Sequence, residues 1–521
     1  MPESTRWILW SRDEPAEHDQ RSRPNRAAAR DQVAATRQSV GPAADRALSL
    51  DDGASFDEAT LREEPAAFDE AAQSDRSAFE VGRSIASKAP GQARRGKRGG
   101  PRRDINAVID QRSVGVVFQP ILDVENDQVV GFEALARGPE GALASPVPLF
   151  AAARAAGRAG ELDWVCRALA FDRFMAADLP GSMSLFVNVE PDSLIEPCPE
   201  DLLPTIWEAE TRLRVFVDIP GRALSRHPRE VLQTVRRARA ARWGVAVDDT
   251  EFSSSGLALL PVVEPDVIRL HHEVLGAEAA MGAMALTAAI SEMYHNDAAL
   301  LVENVEDVTA RRAGLGVGGI FQQGHLFGRA GPLPKRLATP RRTIRLLDHP
   351  SIDSRTPFSI VSASGSGMVR SMDGAAVTTL VSSMAHQAAN SNPVPVVASL
   401  LSRPSESARE QRAMTQRFSY RMLLERTPLA LLLGTDVRRY EEWNVSAADL
   451  PSRPGLADEM CLLLISPMSC SALTARPLGG SNPDRWEVAL SQDPAVCRLV
   501  TRALLWTMDN VDGGVFHALN R

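Results

Sequence analysis

Cysteine is scarce in this 521-residue chain: five residues, Cys166, Cys198, Cys461, Cys470 and Cys497, with no C-x-x-C pair and no histidine-rich segment beside them. That scarcity excludes a disulfide scaffold and the common zinc modules. It reads as reduced thiols in a cytoplasmic protein, with Cys461 and Cys470 as buried structural groups rather than a redox pair. Positive charge is also lacking, since 58 basic against 66 acidic residues leave a net charge of -8. This argues against bulk affinity for nucleic acid, and no specific nucleic-acid partner is expected. Long apolar runs are absent too: "MCLLLISP" from Met460 is far short of the ~20 residues that span a bilayer, and Met1 to Asp13 has no signal-peptide core. Any membrane role would need a partner.

Residues 1–103 lack a sustained apolar period and are dominated by Ala, Arg, Asp, Glu and Ser. Such a segment cannot bury enough surface to order itself, so a disordered N-terminal region is expected. A weak helix is expected around "DEATLREEPAAFDEAAQ", interrupted by Pro65. The segment ends in the basic, Gly-rich "RRGKRGGPRR", read as a solvated linker, with contact to nucleic acid, anionic lipid or an acidic partner as the alternative. From Asp104 the pattern changes to short β-branched runs, "SLFVNVEP", "RVFVDIPG", "GVAVDD", "DVIRLH", "LLVENVE" and "GIFQQGHLF", separated by helical stretches such as "PREVLQTVRRARAARW". This alternation predicts an α/β domain, a TIM-like (β/α) barrel over residues 104–345.

What the barrel carries is a set of polar residues placed at strand ends. "GVVFQPILDVENDQVVGFEAL" reads as two strands joined at Asn126–Asp127, which sets Glu133 at the end of the second. Asn188, Asp218, Asp248, Asp249, Glu303 and Gln323 close other runs in the same way. Barrel strand ends converge on one face. Hard oxygen ligands gathered there suit Mg²⁺ or Mn²⁺, and two such ions can activate a water against a phosphodiester.

The same residues resemble the EAL domain family, bacterial enzymes that linearise cyclic di-GMP to pGpG, from about Asp104 to Pro340. "FQPILDVENDQVVGFEALARG" resembles the opening motif, "FVNVEP" the asparagine motif, "VAVDD" the paired aspartates, "VENVED" an acidic strand end and "QQGHLFGRAGPL" the closing motif. The resemblance implies Glu133, Asn188, Asp218, Asp248, Asp249 and Glu303 as metal ligands. It implies Gln119, Leu135 and Arg137 as ligand contacts, and Arg269, Gln323 and Glu306 as catalytic or supporting groups. Four departures weaken hydrolysis in this reading. Asp218 stands for a glutamate and Gly221 for a second one, Glu251 replaces a loop glycine, and Arg269 replaces a lysine set against the catalytic water, with His271 following it. Arginine keeps the charge but is planar and never deprotonates. A barrel homodimer fits the resemblance.

Residues 350–515 alternate apolar runs ("VPVVASLL", "LALLLGTDV", "MCLLLISP") with helical stretches, including "AVTTLVSSMAHQAAN" and a helix expected to begin at Ala408. This predicts a smaller α/β domain. With "TPFSIV" and "RWEVALSQDPAVCRLVTRALL" it resembles the DICT sensory domain, whose signalling partner the sequence does not name. Trp486 and Trp506 are read as core. Three functions follow: a metal-dependent phosphodiesterase weakened by its departures, a cyclic di-GMP receptor without turnover, and a regulatory scaffold.

Overall fold

The computed structural model describes residues 104–190, 196–248, 253–276, 280–348, 355–365, 368–401, 418–435, 437–442, 444–450, 456–479 and 484–511. The expected tail and its linker, the acidic helix around Pro65, Asp249, Glu251 and the helix start at Ala408 lie outside them.

Eight strands close a barrel: β1 (Gly115–Asp123), β2 (Gln128–Arg137), β3 (Ser184–Asn188), β4 (Arg214–Pro220), β5 (Gly244–Asp248), β6 (Val267–His271), β7 (Ala299–Glu303) and β8 (Phe321–Gln323). Strands β2 to β8 run parallel, whereas β1 is antiparallel to both β2 and β8. The β1–β2 turn falls where Asn126–Asp127 placed it, with Asp127 at φ 51°, a conformation that aspartate tolerates.

Period-two alternation explains how the barrel is filled. Phe186, Phe216, Ala246, Val267, Leu301 and Phe321 form one buried apolar layer inside it, with Phe186 and Phe216 stacked at 4.8 Å. The next residue of most strands, Val187, Val217, Val247, Ile268 or Val302, turns outward into the core beneath the helices. The residue after that turns inward again, and it is Asn188, Asp218, Asp248, Arg269, Glu303 or Gln323. The polar site is thus the layer of the barrel interior above the Phe186–Phe216 layer. Ile344, fully buried in that same apolar layer, shows that the chain still belongs to the barrel when it reaches residue 344.

The second domain is a seven-stranded sheet in the order β12–β11–β10–β13–β14–β15–β9. Its strands are β9 (Met368–Asp373), β10 (Val396–Leu400), β11 (Ala430–Gly434), β12 (Val445–Asp449), β13 (Met460–Ser466), β14 (Ser469–Pro477) and β15 (Arg485–Ser491). "TPFSIV" forms the start of the helix Pro357–Ala363, because Thr356 caps it through Ser359 N and Pro357 occupies its first turn. Leu432 and Leu462 face the helix Gly374–Ala389, while Leu431 and Leu463 face Phe358 and the C-terminal helix Pro494–Val511. Trp486 packs at the edge of the core rather than inside it.

One apolar cluster runs from the barrel into this sheet. The bridge is the helix Ser254–Val263, whose residues from Gly256 onward are all buried. A helix apolar on every side needs cover on every side, and β13 with the C-terminal helix supplies the outer one. Charges lock the join: Arg498 pairs with Glu292 at 2.7 Å and Arg502 with Glu264 at 2.7 Å. Among the described residues no helix is long and apolar enough to cross a membrane.

Candidate functional site

At the centre of the polar layer lies Arg269, 3% exposed. Its guanidinium is 3.1 Å from Glu133 Oε2 and also pairs with Asp218 and Glu303. Glu133 further accepts from Asn188 Nδ2 at 3.0 Å and Gln323 Nε2 at 2.7 Å, and Gln323 donates to Gln119 Oε1 at 3.2 Å. Register explains the gathering, since Asn188 is opposite Asp218, Asp248 opposite Arg269, and Gln119 opposite Glu133.

The electrostatics follow from burial against pairing. Burial pushes the Glu133 carboxyl up, but the Arg269 charge and the hydrogen bonds from Asn188, Gln323 and Arg269 outweigh it and hold the group below the usual range. At Glu303 burial wins: opposed by Arg269 and reinforced by the charges of Asp248 and Glu133, it lifts the carboxyl to about 8. Arg269 loses to burial less than it gains from Glu133 and Glu303, so its guanidinium is held above its usual range. Asp218, 2% exposed, has neither oxygen in a hydrogen bond, and Arg269 is its countercharge.

Two cavities open on Glu133. One, of about 310 Å³, is lined by Gln119, Arg269, His271, Glu303 and Gln323. The other, of about 720 Å³, has apolar walls at Leu135 and Phe150 and carries Arg154, Arg222, Asn188 and Glu190. Arg154 reaches Glu190 at 3.1 Å and Arg222 reaches it at 3.9 Å.

Set against the expected site, the structure brings Glu133, Asn188, Asp218, Arg269, Glu303, Gln323 and Gln119 together, with Asp248 close enough to raise Glu303. Leu135 lines the larger cavity. Arg137 lines neither cavity, and its Nη1 donates to Ala136 O at 2.7 Å. Glu306 stands on the exposed rim, 3.4 Å from His325 Nδ1. His271 is held by its neighbours, 3.7 Å from Glu273 and with its ring 5.1 Å from that of His272. Glu133 and Asp218 correct one expectation: neither is at a strand end, because β2 continues to Arg137 and β4 to Pro220. Beyond Ala134, however, β2 has only β1 beside it, so Glu133 does lie near the end of the part that pairs with β3. Sequence reasoning missed Arg154 and Arg222, which come from helices Pro146–Ala155 and Gly221–Arg226 and carry no motif of their own.

Whether these residues fit a divalent metal is decided by Arg269. A cation already sits among Glu133, Asp218 and Glu303, and no group of three or more His, Cys, Asp or Glu among the described residues is set to hold a metal ion. As arranged, the carboxylates do not fit a metal unless the guanidinium withdraws.

A (β/α) barrel with a carboxylate cluster inside its mouth is therefore the class of protein defined here. The EAL domain family model matches residues 102–330, the span of the barrel. The chain is similar to the probable cyclic di-GMP phosphodiesterase PdeI of Escherichia coli K12, 24% identical over 241 residues, or 44% of this chain. It spans 30% of the length of that relative. Solved structures similar to it include a manganese/cyclic di-GMP complex of Klebsiella pneumoniae BlrP1, with 26% identity, 42% of this chain, 56% of that chain and a TM-score of 0.37. Another is the FimX EAL domain of Pseudomonas aeruginosa bound to cyclic di-GMP, with 19% identity, 44% of this chain, 95% of that chain and a TM-score of 0.38.

Proposed function

We propose that the barrel is a cyclic di-GMP binding module of EAL type in which hydrolysis is slow or lost, coupled to a C-terminal sheet domain acting as a DICT-like sensory domain. The observation that carries this reading is Arg269, which spends Glu133, Asp218 and Glu303 on its own guanidinium. Hydrolysis in the expected mechanism needs two ions and a positioned water, whereas binding needs a groove and cationic partners for the phosphates. The larger cavity offers those partners in Arg154 and Arg222, beside apolar walls on which a base can lie.

A metal-dependent phosphodiesterase is the second reading. Asn188 and Gln323 both still hold Glu133 in place, so the donor set for Mg²⁺ or Mn²⁺ persists should Arg269 swing away. The experiment is chromatography of cyclic di-GMP after incubation with the protein and Mn²⁺. Little or no linear product is expected, and turnover of ~1 s⁻¹ or faster, ordinary for an enzyme, would overturn the receptor reading in favour of the enzyme.

A further inference from the structure

The chain is poor in cysteine, yet two of its five thiols meet. Cys470 lies on β14, and Cys497 in the first turn of the helix Pro494–Val511, which packs on that strand. Their sulfurs lie against consecutive carbonyls of one turn, Cys470 Sγ at 3.4 Å from Gln492 O and Cys497 Sγ at 3.9 Å from Ser491 O. The two side chains also act on each other: Cys497 holds the Cys470 thiol below its usual range against the effect of burial, with the Arg498 charge assisting, and Cys470 pushes Cys497 up. Burial instead pushes Cys166, Cys198 and Cys461 up.

Access differs between the two sulfurs. Cys470 edges a cavity of about 120 Å³ between the sheet and the barrel helix Ala280–Asn296, shared with Ser291, His295, Met468 and Arg498. Cys497 is fully buried. A thiol that a small oxidant can reach, backed by a neighbouring thiol able to resolve it, is the arrangement that reversible oxidation requires.

We propose that Cys470 and Cys497 are an oxidation-sensitive pair, converted by a peroxide into an intramolecular disulfide. The Cys470 thiolate attacks one peroxide oxygen, the O–O bond breaks, and hydroxide leaves a sulfenic acid on Cys470. The Cys497 sulfur then attacks the Cys470 sulfur, an S–S bond forms, and water leaves with the Cys497 proton. The sulfurs are oxidised and the peroxide is reduced. A dithiol reductant reverses the step by exchange. Cys497 adjoins Arg498, which pairs with Glu292 of the barrel, so the oxidation state is written one residue from the join between the domains. This gives the sheet domain a chemical input that does not depend on nucleotide binding.

The test is peptide mapping of the full-length protein, unreduced, after treatment with hydrogen peroxide, alongside Cys497→Ser treated with peroxide and a sulfenic-acid-trapping dione. A 470–497 crosslink reversed by dithiol is expected in the wild type, with a trapped Cys470 in the variant. A Cys470 left unmodified in the wild type, or a crosslink that joins other cysteines or two chains, would overturn the proposal.

Discussion

Removing Arg269 should turn a protein indifferent to metal into one that depends on it. The Arg269→Ala change leaves Glu133, Asp218 and Glu303 facing one another without their countercharge. Deleting one partner of a buried pair typically costs ~3–5 kcal/mol. Glu303, already pushed up to about 8, relieves part of this by staying protonated, which places the cost near the lower end. The vacated space is lined by hard oxygen donors, and a divalent ion at about 100 times its dissociation constant returns ~2.7 kcal/mol. Thermal unfolding of both proteins in chelator and in rising Mn²⁺ measures this. The wild-type midpoint should not move, while the variant should melt lower in chelator and recover with metal. A wild type that gains as much from Mn²⁺ as the variant would refute the argument that the guanidinium holds the cation position.

Combined reversion, Asp218→Glu with Gly221→Glu and Arg269→Lys, should give partial gain of turnover in the chromatographic assay, while single reversions do little, because catalytic groups acting as a unit are non-additive. For Glu303 the folded carboxyl titrates at about 8, above its unfolded value, so the stability it contributes is complete below the ordinary glutamate range and is lost as pH rises to about 8. Denaturation at several pH values should therefore show stability falling by up to ~1.4 kcal/mol per pH unit across that window, and Glu303→Gln should flatten it. Arg498→Ala strands the buried Glu292 and should cost ~3–5 kcal/mol in urea unfolding, with much of the loss recovered in the double variant with Glu292→Leu. A chain starting at Asp104 should melt with the full-length protein; a much lower midpoint would show that residues 1–103 support the fold.

Much of the site was legible because the barrel obeys a period of two. Apolar runs ending in Asn188, Asp248, Glu303 and Gln323 announce both the strand and the inward turn of its last residue. Glu133 was harder to place, because the β1–β2 hairpin carries β2 past the part that pairs with β3. Arg269 was visible as a departure from the resemblance, but its consequence was not: residue type does not tell that this side chain, two positions short of its strand end, will lie across three neighbouring carboxylates. Arg154 and Arg222 belong to helices far apart in the chain, and only the folded barrel brings them to one cavity. For the same reason Cys470, weighed against Cys461 by sequence spacing, meets Cys497 instead: in the β13–β14 pairing Cys461 lies opposite Thr474 and Cys470 opposite Ile465.

The most direct measurement is a calorimetric titration of cyclic di-GMP into the wild-type protein, once in chelator and once in Mn²⁺. If Arg269 stands where a metal would, affinity in chelator should match that in Mn²⁺ within a few-fold, and Arg222→Ala should weaken both by ~1.5–3 kcal/mol, the range for charged hydrogen bonds. Binding seen only with Mn²⁺, or none in either buffer, would contradict the account.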